Sequence, residues 1–360
     1  EGDGIERAIA LYYASEPSFE RALLGKEGVE VRWELPTVSL AARKFAATWA
    51  TLGSGGSGGL EASVALMGES IAAAMFKPRP LLRAGAKRRW LSGPLAWWSS
   101  VETDHLQTAQ LSGIAAAVAT LTGAPFTSAF FAAEVMYRRR PLVEKLIYSL
   151  IATLVAYFLS SIVHVGHQAL FAVDSLYLPA SNWGYYGLVL LIALVVALIS
   201  AVFIRLRRAA DNAFHRRLPA PWPRHLIGAG LTALVAAGVV ALTFGRGLID
   251  HSGALQLVLG PGDWAIERAM AGELTLGLAL VALVGKMAAT ATTIGSGGSA
   301  GLLIPSLYLG AMVATVVAAM TPYQPMTLII PAMTASLVSI VNVPIAAILL
   351  PVELFSGHYL

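Results

Sequence analysis

The 360-residue sequence predicts an all-α, polytopic membrane protein made of two repeats, each interrupted by a broken or re-entrant helix. Composition is the first of three observations behind this. Hydrophobic residues make up 56% of the chain and charged residues 13%, where soluble domains carry about 25% charged residues, and the mean hydropathy is +0.68. The second is a duplication: Leu52–Ser63 (LGSGGSGGLEAS) returns as Ile294–Pro305 (IGSGGSAGLLIP), 294 − 52 = 242 residues later. In that register Lys44–Leu60 and Lys286–Leu302 agree at 12 of 17 positions without a gap, and Gly68 matches Gly310. The third is the glycine-serine turn itself, set between apolar segments. Irregular backbone at membrane depth is tolerated only where it is buried in protein or lines a cavity, so the turns read as the walls of a site.

The elements follow in order. Glu1–Ser15 (EGDGIERAIALYYAS) has neither an initiating Met nor a signal peptide and reads as the interior of a longer protein, with flanking helices expected at both ends. Residues 16–35 are a polar connector. Pro36 suits a first helical turn, opening a helix to Leu52, and Glu61–Phe76 forms the next, with Glu61 near its N-terminus. Trp90, Trp97 and Trp98 fit an interfacial aromatic belt, and Asp104 suits an N-cap. Apolar segments then cover about 105–121, 124–137, 143–166 and 184–204, with a Tyr-, Trp- and His-bearing loop over 164–186. Leu226–Phe244 is another apolar segment and Gly245–Ala271 a more polar loop. Leu274–Thr293 leads into the second glycine turn and Leu302–Met320 leaves it. Near the end, Asn342–Leu354 (NVPIAAILLPVEL) mirrors Gly123–Met136 (GAPFTSAFFAAEVM): Glu134 follows Pro125, and Glu353 follows Pro344, by nine residues. The repeats therefore cover about 1–166 and 184–360.

Charge restricts orientation and function class. The net charge is +4, and 16 of the 25 Lys and Arg fall in Lys77–Arg89, Arg138–Lys145 and Arg205–Arg224. Between apolar helices these runs read as cytoplasmic loops under the positive-inside rule rather than as a nucleic-acid surface, in a multi-pass protein of the plasma (inner) membrane with lipid around it. There are no cysteines, and the seven histidines show no metal-ligand spacing, so neither metal nor cofactor is expected. GSGGSGG lacks the GK[ST] ending of a phosphate loop, and no catalytic triad accompanies it. An intramembrane enzyme using Glu61 with Ser57 or Ser63 is the rival reading, and transport is preferred.

Four ordered segments carry a resemblance: Gly2–Glu6 (GDGIE), Gly59–Ser63 (GLEAS), Gly301–Pro305 (GLLIP) and Val343–Glu353 (VPIAAILLPVE). They are similar to the GSGIPE, GREGP, GxFxP and late APLTGxxxxxE-like signatures of the CLC family of chloride channels and proton-coupled chloride transporters. The resemblance implies a homodimer with a pore in each subunit and two halves of inverted topology whose helix N-termini meet near the membrane middle. It implies transport of chloride or another small anion, with Glu61 as the gate. The implied anion-binding residues are Asp3, Gly4, Ile5, Gly59, Leu60, Ala62, Gly301, Leu302 and Leu303. A helix N-terminus suits this task, since its unpaired N–H groups and partial positive charge hold an anion without a full cation to trap it.

Departures from the family pattern set the remaining expectations. Asp3 stands where the family has a chloride-coordinating serine, and a carboxylate about 4 Å from an anion costs about 4 kcal/mol at an effective dielectric of 20. This keeps fluoride or nitrate open as the ion. Leu60 replaces an Arg or Lys, Ser63 a Pro, and Leu303 a Phe. The family's pore tyrosine would fall after Leu360, and Tyr359 is too early. Val135 stands where proton-coupled members carry a glutamate, with Glu134 beside it as a possible proton-path acid. The sequence therefore leans towards passive or gated conduction, with proton antiport as the alternative. Lys44 and Lys286 either raise the potential near the pore or are structural. His164, His167 and His251 read as loop side chains.

Overall fold

The computed structural model describes residues 4–13, 37–76, 103–137, 143–163, 171 and 182–356. Asp3, the beginning of the chain, Pro36, the tryptophans at 90, 97 and 98, the basic run 77–89, His164, His167 and Tyr359 lie outside them. Among the described residues there are fourteen α-helices and no strand. They are α1 (Ile5–Tyr13), α2 (Val38–Gly53), α3 (Glu61–Phe76), α4 (Thr103–Thr122), α5 (Pro125–Tyr137), α6 (Val143–Val163) and α7 (Trp183–Arg217), followed by α8 (Pro221–Thr243), α9 (His251–Gln256), α10 (Asp263–Met270), α11 (Leu276–Gly295), α12 (Leu303–Ala318), α13 (Pro325–Val341) and α14 (Pro344–Ser356).

Helices α6, α7, α8 and α11 are long and apolar enough to cross a membrane, whereas α12, α13 and α14 are apolar but shorter. Most of α11 is buried, but α6, α7 and α8 face outward: Ile147, Ile151, Val155, Phe158 and Ile162 of α6 are exposed, as are Leu190, Leu194 and Leu198 of α7. That is the pattern of helices solvated by lipid tails. The core belongs instead to the glycine-turn helices. α12 is buried along nearly all of its length, because it packs among α7, α10, α11 and α13.

The duplication is visible at the backbone. Gly59 and Gly301, equivalent in the 242-residue register, pair with each other: Gly59 N–H donates to Gly301 O at 2.9 Å and Gly301 N–H to Gly59 O at 2.6 Å, an antiparallel bridge. A residue paired antiparallel with its own counterpart sits beside an approximate two-fold axis, so the halves are inverted with respect to one another. The side chains obey the same axis. Ser57 Oγ bonds Thr290 Oγ1 at 2.9 Å and Thr48 Oγ1 bonds Ser299 Oγ at 2.8 Å. Ser57 N–H donates to Thr293 Oγ1 and Ser299 N–H to Thr51 Oγ1, both at 3.1 Å. Gly55 and Gly297 adopt φ of +92° and +93°, which only glycine takes up without cost, and they end α2 and α11 alike.

A second register, offset by 344 − 125 = 219, relates α4–α5 to α13–α14. Gly123 (φ +70°) and Asn342 (φ +64°) terminate α4 and α13 in the left-handed conformation, and each precedes a proline by two residues. Asn is the non-glycine residue best suited to that conformation. Gly68 lies so close to the backbone of Gly113 that a side chain at either would collide, and Gly310 meets the backbone of Ala332 in the same way.

Four details differ from the sequence reading. The basic run from Arg205 is helical as far as Arg217, because α7 continues for 35 residues, about 52 Å at 1.5 Å per residue. The loop 245–271 contains α9 and α10, and α10 begins after Gly262 (φ +100°) as α1 begins after Gly4 (φ +86°), so GPG at 260–262 is the counterpart of GDG at 2–4. α13 was not singled out by the sequence. α4 begins at Thr103, placing Asp104 inside its first turn.

Candidate functional site

The site forms where the two glycine turns end. α3 begins at Glu61 and α12 at Leu303, one on each side of the Gly59–Gly301 bridge. Neither first turn can bond all of its own N–H groups, and α12 has Pro305 at its third position, where no N–H exists to be satisfied. Two partial positive ends are thereby held against each other by the two-fold axis.

Glu61 occupies the junction. It is fully buried, and its carboxylate folds back over Gly59 so that a side chain at Gly59 would overlap both oxygens. A Cβ at Gly301 would stand 2.7 Å from Oε2 and 3.0 Å from the Ala62 nitrogen. Neither oxygen has a hydrogen-bond partner of normal geometry, although the backbone N–H of Ile304 faces the carboxylate and Lys286 and Asp263 are the charged groups within electrostatic reach. A buried carboxylate without a partner is costly, more so in a membrane. What offsets it here is position: the side-chain anion lies where two helix N-termini converge. Chemically this is an anion site filled by the protein's own anion.

Most of the sequence-predicted residues fall around this point. Gly59, Leu60, Glu61, Ala62, Gly301, Leu302 and Leu303 surround the junction, and Ala62 is fully buried. Leu60 is 36% exposed, so the position that carries Arg or Lys in the family signature faces outward. Gly4 reaches the same region from α1, since a Cβ there would meet the Ala62 carbonyl and the Lys44 side chain. Ile5 starts α1 and packs on the core. Asp3 lies outside the described residues.

The other acids and lysines are occupied. Glu134 accepts from the N–H groups of Ile345 and Ala346, both at 2.9 Å, and so caps α14. Glu353 accepts from Phe126 and Thr127 at 2.8 and 2.5 Å and caps α5. Val135 is buried with apolar neighbours. Lys286 donates to the carbonyls of Gly260 at 2.6 Å and Val258 at 3.3 Å, lies over the Tyr308 ring, and thus ties α11 to the segment leading into α10. Lys44 is buried against Gly4, the corresponding place in the first repeat. His251 is exposed and stacks edge-on with Phe244. Among the described residues no group of three or more His, Cys, Asp or Glu is arranged to hold a metal.

Missed by the sequence reading were the partners that hold the two turns together, Thr48, Thr51, Thr290 and Thr293. The shared KxAATxxT pattern contained the signal: all four threonines sit at positions that the repeat alignment leaves unchanged, Thr48 matching Thr290 and Thr51 matching Thr293.

Comparison with known proteins agrees with this geometry. The voltage gated chloride channel family matches residues 14–360. A curated relative, an uncharacterised protein of Methanocaldococcus jannaschii, is 25% identical over 250 residues, which is 69% of this chain and 58% of that protein. The chain thus spans under two thirds of that relative's length. Among solved structures, a slow cyanobacterial Cl−/H+ antiporter superimposes with a TM-score of 0.70 at 18% identity, over 98% of this chain and 72% of that one. A CLC-type fluoride/proton antiporter gives 0.61 at 19% identity, over 98% and 84%. At such identities the superpositions speak for the fold. The inverted glycine-turn repeats, the paired helix N-termini and the family match converge, and the chain belongs to the voltage gated chloride channel family, the CLC family.

Proposed function

We propose that the protein carries small anions, chloride first among them, through the membrane by way of the junction between α3 and α12, with Glu61 as the gate. The observation that carries this reading is the Glu61 carboxylate, buried between two helix N-termini with the backbone N–H groups of Glu61 and Ile304 facing it and no hydrogen bond of normal geometry. An anion passing that point competes with it for the same N–H groups, so the side chain has to leave or be neutralised. Weak, multi-site binding by backbone dipoles is what permits fast passage. Leu60, Ala62, Gly301, Leu302 and Leu303 supply the backbone of the site, and Gly4 and Ile5 its approach at the start of α1; Asp3 is carried as an anion-site residue on the sequence resemblance alone. No covalent chemistry is needed, and Ser57, the residue an enzyme reading would enlist, is bonded to Thr290 across the repeat interface.

Proton coupling is the second reading. Glu61 neutralised by a proton would free the site and carry that proton with it, and both solved relatives named above are antiporters. Fluoride or nitrate in place of chloride is the corresponding alternative for the ion. We assign the protein to the plasma membrane with its basic runs cytoplasmic, and to a homodimer. Phe126 of α5 and Ile345, Ile348 and Val352 of α14 form an exposed apolar face suited to a second copy.

The test is anion efflux from liposomes holding the full-length protein, with pH recorded, for wild type and Glu61→Gln. Efflux without proton movement, altered in rate by the substitution, marks a gated conductor. Efflux that drives protons only when Glu61 is present marks an antiporter. Flux of fluoride or nitrate with negligible chloride reassigns the ion, and no flux of any of them overturns the reading.

A further inference from the structure

The two repeats pack alike but are not equally apolar. In the second repeat the α12–α13 contact is built from Ala311, Met312, Met326 and Ile329, all buried. Their counterparts in the α3–α4 contact, by the 242 and 219 registers, are Glu69, Ser70, Gln107 and Gln110, buried just as fully. The fold therefore does not require polar groups here, and the first repeat has placed a fully buried carboxylate in the middle of a helix all the same. Intramembrane carboxylates are expensive and mark ion or proton pathways.

The surroundings of Glu69 are suited to holding it in either charge state. Gln110 Nε2 donates to Glu69 Oε1 at 2.6 Å and to the Leu11 carbonyl at 3.4 Å, and Ser70 Oγ donates to Oε2 at 2.9 Å. Gln110 Oε1, by contrast, is buried without a partner. An amide offers both a donor and an acceptor end, so a half-turn of Gln110 turns the cluster from one that stabilises a carboxylate into one that accepts from a carboxylic acid. One turn away on α4, Gln107 accepts from Lys145 Nζ at 2.9 Å and leaves its own Nε2 unpartnered. Lys145 lies 6.0 Å over the Tyr12 ring, and the Tyr12 and Tyr137 hydroxyls are hydrogen-bonded. Tyr137 is the last residue of α5 and Lys145 lies in the first turn of α6. This string of polar groups thus runs from Glu69 to the end of the bundle where α5 finishes and α6 begins.

We propose that Glu69 is a proton-binding site, loaded from that end through Gln107, Lys145, Tyr12 and Tyr137 and switched by rotation of the Gln110 amide. The step is simple protonation: a proton from the aqueous side adds to a Glu69 oxygen, the O–H donates to Gln110 Oε1, and release reverses it. Glu69 lies eight residues beyond Glu61 on α3, about 12 Å along the axis. It thus supplies the acid that Val135 does not, on a different helix. Among the described residues, the ionisable groups on this string are Tyr12 from α1, Tyr137 from α5 and Lys145 from α6; α2 carries Lys44, which lies against Gly4, α4 presents Gln107 and Gln110, and α12 carries Tyr308, whose hydroxyl is committed to Leu257 O. The proposal rests on the transport reading for its purpose but not for its test.

That test is pH-difference infrared spectroscopy of the reconstituted protein, paired with anion efflux at varied pH on each side of the membrane. Wild type should show a titrating carboxyl C=O band that Glu69→Gln abolishes, and the substitution should remove the pH response of efflux from one side only. The double variant Glu69→Ala/Gln110→Ile copies the second repeat's own solution, so it should fold, lack the band and give pH-insensitive efflux. A band unchanged in both variants, or a pH response that survives them, overturns the proposal. Absence of anion efflux in wild type overturns the transport reading instead, while the band still decides for Glu69.

Discussion

Glu134 and Glu353 cap each other's helices. Each carboxylate lies nine residues after the proline that opens its own helix and bonds the first N–H groups of the opposite one. Both oxygens of Glu134 are committed to this exchange, which accounts for a buried acid beside Val135 without a transport role. Removing either cap should cost about 0.5–2 kcal/mol, the range of N-cap deletions. Glu134→Gln and Glu353→Gln should therefore lower the unfolding temperature in detergent by similar amounts, with anion efflux and its pH dependence retained. Loss of proton coupling in Glu134→Gln at unchanged stability would return Glu134 to the proton path.

The glycines at the junction lend themselves to a coupling measurement. A methyl group at Gly301 would stand 2.7 Å from Glu61 Oε2, and overpacking of this kind typically costs 1–3 kcal/mol. The carboxylate is the movable partner, so Gly301→Ala should expel it and raise efflux. In a Glu61→Ala background the same substitution should have little effect on rate. Equal effects in both backgrounds would mean that the methyl group acts on the backbone and not on the Glu61 side chain.

The hydroxyl pairs across the two-fold axis should be energetically equivalent. Ser57→Ala orphans Thr290 Oγ1, and Ser299→Ala orphans Thr48 Oγ1. An unsatisfied buried hydroxyl costs about 1–3 kcal/mol. Similar melting shifts for the two variants would match the inverted geometry, whereas a twofold or larger disparity would show that the repeats bear load unequally.

How far the sequence reached is clear from particular residues. The glycine turns were legible because backbone N–H groups need room, and glycine at the same spacing twice is hard to disguise. The Pro–Glu spacing was legible too, but the exchange of caps between helices was not: a glutamate's partner over 200 residues away leaves no local pattern. Helix α13 was missed because Pro331 interrupts a plain apolar run, and α7's full length because its last turns change from apolar to basic. The Glu69 cluster went unread for a different reason. Ordinary polar residues scattered over α3 and α4 signify nothing until packing shows that they meet and that their counterparts in the other repeat are apolar.

Small residues at helix contacts give the last prediction, which separates space from flexibility. Gly68 and Gly113 each sit against the other's carbonyl, so that α3 and α4 approach more closely than any side chain would allow, as small residues permit in membranes. Gly53, at the end of α2, has nothing within 4 Å of an added methyl group and keeps a negative φ. Helical alanine is favoured over glycine by about 0.5–1 kcal/mol. Gly53→Ala should therefore leave stability unchanged or raise it, while Gly68→Ala forces α3 from α4 and should cost about 1–3 kcal/mol. Since the displaced helix carries both Glu61 and Glu69, Gly68→Ala should also slow efflux. Thermal unfolding and efflux measured side by side check the contrast: equal stability of the two variants would mean that α3 and α4 are not in backbone contact in the membrane.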